Sequence, residues 1–141
     1  MSARDIRVLN LSGSSLDEVP DCISVLSGLE ELRLSDNSFP TLPDGMEHLV
    51  NLKLLDCCRC PLTHFPPKTL SLSRLRELSV GNTNMDYDAI RAITESFRRL
   101  QKLRMQGLTS LSLVTLPDTL GDLSELELLE CSGCPHTEYP S

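Results

Sequence analysis

Tryptophan is absent from this sequence, and aromatic residues make up only 4% of its 141 positions. Whatever core the chain buries is therefore aliphatic. No stretch of about 18 apolar residues occurs, which argues against a membrane span. The opening MSARDIRVLNL has neither a long apolar run nor a cleavage site of small residues, so no secretory signal is visible. An excess of positive charge is also missing. Thirteen Lys and Arg stand against 20 Asp and Glu, a net charge of −7, which disfavours nucleic acid as a partner. There is no Gly-rich phosphate loop. His48, His64 and His136 have no Ser or Cys nucleophile beside them at a local spacing. The chain therefore reads as a non-enzyme without a cofactor. Six cysteines with no signal sequence point to reduced thiols and a cytoplasmic location.

What is present is periodicity. The length predicts one domain over 1–141, and within it a pattern recurs about every 23 residues. The clearest copy, at 29–51, reads LEELRLSDNSFPTLPDGMEHLVN. Leucines stand at Leu29, Leu32 and Leu34, followed by Asn37, Phe39, Leu42-Pro43, Met46 and Leu49. Leu32 and Leu34 are two apart, so both face inward from a short strand while Glu31, Arg33 and Ser35 face out. Asn37 turns the chain, and its amide can satisfy backbone groups left unpaired at the strand's end. Pro43 favours a turn or an extended segment. Met46 and Leu49 close the core from the far side. One such unit cannot bury its own apolar face, so each stacks on its neighbours.

The same register runs through six copies, beginning near residues 6, 29, 52, 75, 100 and 126. The first has Ser14 in place of Asn and Val19-Pro20 in place of Leu-Pro. The third places Cys57 inward, Cys60 in the Asn position and Cys58 outward as a candidate exposed thiol. The fourth has Thr83 in the Asn position and lacks Leu-Pro; Ile90, Ile93, Phe97 and Leu100 instead follow helical spacing. Asp86 and Asp88 at the start and Arg98 and Arg99 at the end suit a helix dipole. The fifth carries Met105 inward, Leu108 in the Asn position, and an insertion between Leu108 and Leu116. The sixth has Cys131 inward, Cys134 in the Asn position and Tyr139-Pro140 near the end.

These positions resemble the leucine-rich-repeat template. The Leu-Pro pair and the period resemble the intracellular repeats of Ras-suppressor and Scribble-type proteins, and the fourth copy resembles the helix-bearing repeats of the ribonuclease-inhibitor kind. The resemblance implies an α/β solenoid: a curved horseshoe with six short parallel strands on its concave face and one convex helix in the fourth repeat. Other convex segments are expected to be turns, extended stretches or short 3₁₀ turns. The family also implies protein binding, on a concave surface built from outward strand positions.

Those positions hold Glu31, Arg33, Asp56, Cys58, Arg59, Glu77, Lys102, Arg104 and Glu130, the predicted partner-binding strip. Arg33–Asp56 and Arg104–Glu130 should pair across strands, worth about 0.2–1 kcal/mol each if simply solvated. Small neighbours such as Ser35, Gly81 and Gly107 should leave the strip open to a ligand. Charge is segregated along the chain: residues 1–67 hold 5 basic and 10 acidic side chains, 68–104 hold 8 and 4, and 105–141 hold none and 6. This predicts a positive middle that orients a partner. The cysteine clusters around Cys57 and Cys131 sit three repeats apart, about 14 Å at strand spacing, too far for one tetrahedral metal. No capping segment is visible at either end, so self-association through the ends or a larger parent protein is expected, ahead of a local covering by Met1–Asp5 and His136–Ser141. Two functions follow: an adaptor or scaffold that binds a protein partner on its concave face, or a structural repeat block of a larger protein or assembly.

Overall fold

A computed structural model describes residues 2–108 and 116–133. Six three-residue strands form one parallel sheet in sequence order: β1 (Val8–Asn10), β2 (Glu31–Arg33), β3 (Leu54–Asp56), β4 (Glu77–Ser79), β5 (Lys102–Arg104) and β6 (Leu128–Glu130). The register aligns the middle residues Leu9, Leu32, Leu55, Leu78, Leu103 and Leu129 in one row. From β2 to β5 these leucines are fully buried. Their neighbours on either side in the strand are only half-buried. That alternation is the two-residue period of a strand with one face in the core.

The ladder continues past the strand ends. Leu34 N–H donates to the Asp56 carbonyl at 2.7 Å, Cys57 N–H to Ser79 at 2.8 Å, and Val80 N–H to Arg104 at 2.8 Å. The next residue but two turns inward again, where Asn37 ties two repeats together. Its Oδ1 accepts from the N–H groups of Ser14 (3.1 Å) and Leu16 (3.0 Å), and its Nδ2 donates to the carbonyls of Leu11 (3.0 Å) and Leu34 (2.9 Å). In a dry interior each of those backbone groups needs a partner. Cys60 in the same repeat position supplies only a donor, from Sγ to the Leu34 carbonyl at 3.1 Å. Thr83 likewise donates from Oγ1 to the Val80 carbonyl at 2.7 Å.

The convex side differs between repeats for a chemical reason. Pro20, Pro43 and Pro117 immediately precede short 3₁₀ turns at Asp21–Val25, Asp44–His48 and Asp118–Asp122. A further short turn spans Thr69–Ser71. The fourth repeat has no proline there, and its convex segment is the expected helix, α1 (Tyr87–Ser96). Asp86 caps it by accepting from Ala89 N–H at 3.1 Å, which satisfies one of the free donors of the first turn. Arg98 lies just past the helix end and donates from Nε to the Glu95 carbonyl at 2.9 Å, serving one of the unpaired carbonyls there. Ala89, Ile90 and Ile93 are buried under the helix. The ring of Phe97 meets that of Phe65 edge-on, with centroids 6.2 Å apart, a favoured aromatic geometry. Among the described residues no helix is long and apolar enough to cross a membrane. The insertion between Leu108 and Leu116, and Cys134, His136 and Tyr139, lie outside the described residues.

Candidate functional site

The outward strand positions build the concave face, and its centre sinks into a hollow of about 490 Å³. Four consecutive strands and the turns that follow them supply the lining: Arg33 from β2, Leu54 and Asp56 from β3, Glu77 and Ser79 from β4, Arg104 from β5, with Cys58, Arg59 and Gln106 just beyond. Of the nine residues singled out from sequence, six thus meet in one place. Glu31, Lys102 and Glu130 stand outside the hollow but pair with residues on it. Glu31 lies 3.8 Å from Arg33, Lys102 lies 3.2 Å from Glu77, and Glu130 lies 3.3 Å from Arg104. The predicted Arg33–Asp56 pair is present at a loose 3.9 Å. All these pairs are partly exposed, so they order the surface more than they stabilise it.

Two expectations about this face are corrected. Cys58 is not an exposed thiol: it is only 7% accessible. It does point to the concave side, but the Gln106 side chain reaches over it, with Nε2 3.9 Å from Sγ. Burial, aided by the nearby Asp56 carboxylate, pushes its thiol up to about 11, so at neutral pH it is a weak nucleophile. The second correction concerns the small residues. Gly81 does not open a gap, because the Gln106 amide occupies the space a Cβ would take. Gly107 is covered in the same way by Asn82. Ser35 is buried, and its hydroxyl donates to Ser12 Oγ at 3.0 Å. The face is floored by side chains, and the entry is the hollow itself.

Leu54, Ser79 and Gln106 line the hollow without having been singled out. Each stands at an outward repeat position, and that spacing is the signal that places it on this face. A second unanticipated feature is the backbone just after each strand. Gly13, Asp36, Arg59, Asn82, Gly107 and Gly133 occupy one repeat position and all have positive φ, from 55° to 75°. Gly, Asn and Asp tolerate that region, whereas an arginine there is uncommon. Arg59 is held by a two-pronged bond to Asp36, Nε to Oδ1 at 2.6 Å and NH2 to Oδ2 at 3.0 Å. The guanidinium bond keeps the Asp36 carboxyl below its ordinary value.

Cys22, Cys57, Cys58 and Cys60 are in no disulfide, and among the described residues no three His, Cys, Asp or Glu side chains are placed to hold an ion. Cys57 faces the core, where burial drives its thiol well above the ordinary range.

Comparison with known proteins agrees with this geometry. The Leucine Rich Repeat family model matches residues 28–49. The chain is 31% identical over 122 residues to the human volume-regulated anion channel subunit LRRC8B, covering 84% of this chain and 14% of that protein. It is 32% identical over 133 residues to the adenylate cyclase of Schizosaccharomyces pombe, covering 92% of this chain and 8% of that one. The chain therefore spans less than a sixth of the curated relatives it matches. Among solved structures, the functional domain of InlJ from Listeria monocytogenes superposes with a TM-score of 0.71 at 19% identity, over 92% of this chain and 25% of that one. The leucine-rich-repeat ectodomain of the Arabidopsis thaliana receptor kinase SOBIR1 superposes with a TM-score of 0.67 at 24% identity, over 89% of this chain and 69% of that one. Strand order, repeat register and these likenesses agree: the chain is a leucine-rich-repeat protein, folded as an α/β solenoid of six parallel strands.

Proposed function

We propose that this chain is a protein-interaction module, an adaptor or scaffold that holds a protein partner in the concave hollow. One observation carries the reading: side chains of both charges, from four successive strands, converge on a single depression whose floor includes the apolar Leu54. Arg33, Arg59 and Arg104 supply planar donors there, and Asp56 and Glu77 supply acceptors. Such a mixed lining suits a peptide or protein surface, which offers carbonyls, amides and side chains of either sign, and arginine is favoured at interface hot spots. A non-catalytic role is part of the same reading, as are the Ras-suppressor or Scribble-like repeat type and a cytoplasmic location. The Leu-Pro repeat signature supports the type, and the free thiols support the location.

The test is charge reversal at two sites whose carboxylate partners are at least partly exposed. Arg33→Glu combined with Arg104→Glu should weaken capture of the partner from lysate roughly tenfold or more. The thermal midpoint should move little, because the pairs lost are loose or partly exposed to solvent. Undiminished capture of every partner would place the binding surface elsewhere on the solenoid.

A further inference from the structure

A row of charged side chains runs along the edge where the strands begin. Arg7, Glu30, Lys53, Arg76, Gln101 and Glu127 occupy one repeat position there. Their backbones follow one rule: the carbonyls of Arg7, Glu30, Lys53, Arg76 and Gln101 each accept two N–H groups from the next repeat. The side chains do not follow one rule. At the start of the row signs alternate and pair, with Glu30 lying 3.6 Å from Arg7 and 3.4 Å from Lys53. The alternation then breaks. Lys53 is followed by Arg76, a like charge, and Arg76 by the neutral Gln101.

Two more arginines crowd the same spot. Arg74 and Arg99 each precede the first leucine of their repeat, so they stack one repeat apart beside this row. Lys53, Arg74, Arg76 and Arg99 together line a hollow of about 340 Å³ with no acidic residue among them. Among the described residues Arg74 donates only to the Asn51 amide, NH1 to Oδ1 at 2.9 Å. Neither Arg76 nor Arg99 has an ion-pair partner among the described residues. In a chain of net charge −7, four clustered cations with one shared carboxylate repel one another and are stabilised by an added anion.

We infer that this hollow seats the phosphate of a phosphorylated side chain on the bound partner segment. Size and charge select the group. A phosphomonoester carries about −1.5 to −2 charges and three acceptor oxygens at neutral pH, which matches several forked guanidinium donors better than a single carboxylate does. Glu30, Glu31 and Glu77 lie alongside and limit the positive zone to a compact spot, which disfavours a lipid surface or a nucleic-acid backbone. The route is continuous. An intervening hollow shares Leu54 and Glu77 with the concave site and Lys53 and Arg76 with the basic one. A peptide lying on Leu54 thus reaches the edge without leaving the surface. The peptide part of this inference rests on the concave-face reading; the anion seat stands without it.

Titration of the isotope-labelled chain with inorganic phosphate at low salt reads the seat alone. The side-chain N–H resonances of Arg74, Arg76 and Arg99 should shift while those of Arg7 and Arg33 stay put. Arg76→Gln with Arg99→Gln, both exposed, should abolish the shifts and leave the backbone spectrum folded. Arg33→Glu with Arg104→Glu should leave them unchanged, so failure of the concave reading and failure of the seat are told apart. A degenerate phosphoserine nonapeptide library should then bind at least roughly tenfold tighter than inorganic phosphate or its unphosphorylated twin. Shifts spread evenly over all arginines, or kept in the double glutamine variant, would overturn the seat. Tighter binding to phosphatidylcholine vesicles doped with phosphatidylinositol phosphates than to the library would overturn the peptide assignment.

Discussion

The inner and outer sides of the same strands obey different logics. Along the inner row from β2 to β5 the residue is always leucine and is always fully buried: Leu32, Leu55, Leu78 and Leu103. One position earlier the outer row reads Glu31, Leu54, Glu77, Lys102, and one position later it reads Arg33, Asp56, Ser79, Arg104. The backbone treats the two sides alike, since the same ladder serves both. The side chains do not. An inner leucine must fit between the copies before and after it, so its volume is fixed by packing. An outer residue meets water on one side, so its chemistry is free to differ from repeat to repeat. Uniformity on one side builds the fold, and variety on the other is what the proposed recognition of a partner would use.

The strongest way to break this contrast is to shorten an inner residue. Leu55→Ala removes atoms from a site shared by two neighbouring repeats and should cost about 2–5 kcal/mol, read from urea unfolding. Leu32→Ala should behave alike. The outer residues beside it should cost far less; Leu54→Ala, half-buried on the hollow, should fall below both. A loss of under about half a kcal/mol at Leu55 would contradict its full burial.

A second test sharpens the contrast inside a single repeat position. Asn37 serves donors and acceptors of two repeats, whereas Thr83 makes one bond to its own turn. Asn37→Ala leaves the Ser14 and Leu16 N–H groups and the Leu11 carbonyl short of a partner, with the Leu34 carbonyl keeping only the Cys60 thiol, and should cost about 2–4 kcal/mol. Thr83→Val should cost about 1 kcal/mol. Equal losses would show that the amide's extra bonds contribute nothing.

Much of this was legible in the sequence. Inward leucines announce themselves by period, Asn37 by its place after the strand, and α1 by the absence of proline together with helical spacing. The concave face was legible as a set of positions, but its depth was not. Gly81 reads as open space in a sequence, and only the packed structure shows Gln106 lying across it. Cys58 was misjudged for the same reason: it points outward, yet a side chain two repeats further along covers it. Period tells which way a residue points; what lies on top depends on the length and conformation of side chains from other repeats. The shared positive φ after each strand was within reach, because Gly13, Gly107 and Gly133 recur at one repeat position.

Cys58 turns that lesson into a measurement. With its thiol raised to about 11 from an ordinary value of 9.0, alkylation at pH 8 should be slow beside that of the exposed Cys22. Between pH 8 and 10 the rate should climb roughly tenfold per unit as thiolate forms. Gln106→Ala should speed it several-fold at fixed pH, with little loss of stability. The raised value also has a sign for folding. The unfolded chain releases this proton first, so stability contributed at this site is intact below pH 9 and declines as pH rises toward 11. A rate unchanged by Gln106→Ala would mean that burial by the strands, not by the glutamine, shields the sulfur.

The smallest expected effect probes the one place where the two logics meet. Arg59 contributes its side chain to the hollow while its backbone sits at φ 58°, a region that L side chains enter at a cost. Asp36, one repeat earlier, is in the same conformation and holds the guanidinium at two points. Replacing Arg59 with alanine loses that bond and keeps the strain. Replacing it with glycine loses the bond and relieves the strain, while adding freedom to the unfolded chain. Ordinarily alanine outperforms glycine; here the order should reverse, with Arg59→Gly unfolding at a higher urea concentration than Arg59→Ala. Both should weaken partner capture equally if the guanidinium, and not the backbone, touches the ligand. If alanine proved the more stable, the left-handed turn would carry no cost at this position. If glycine alone retained capture, the turn itself would be what the partner recognises.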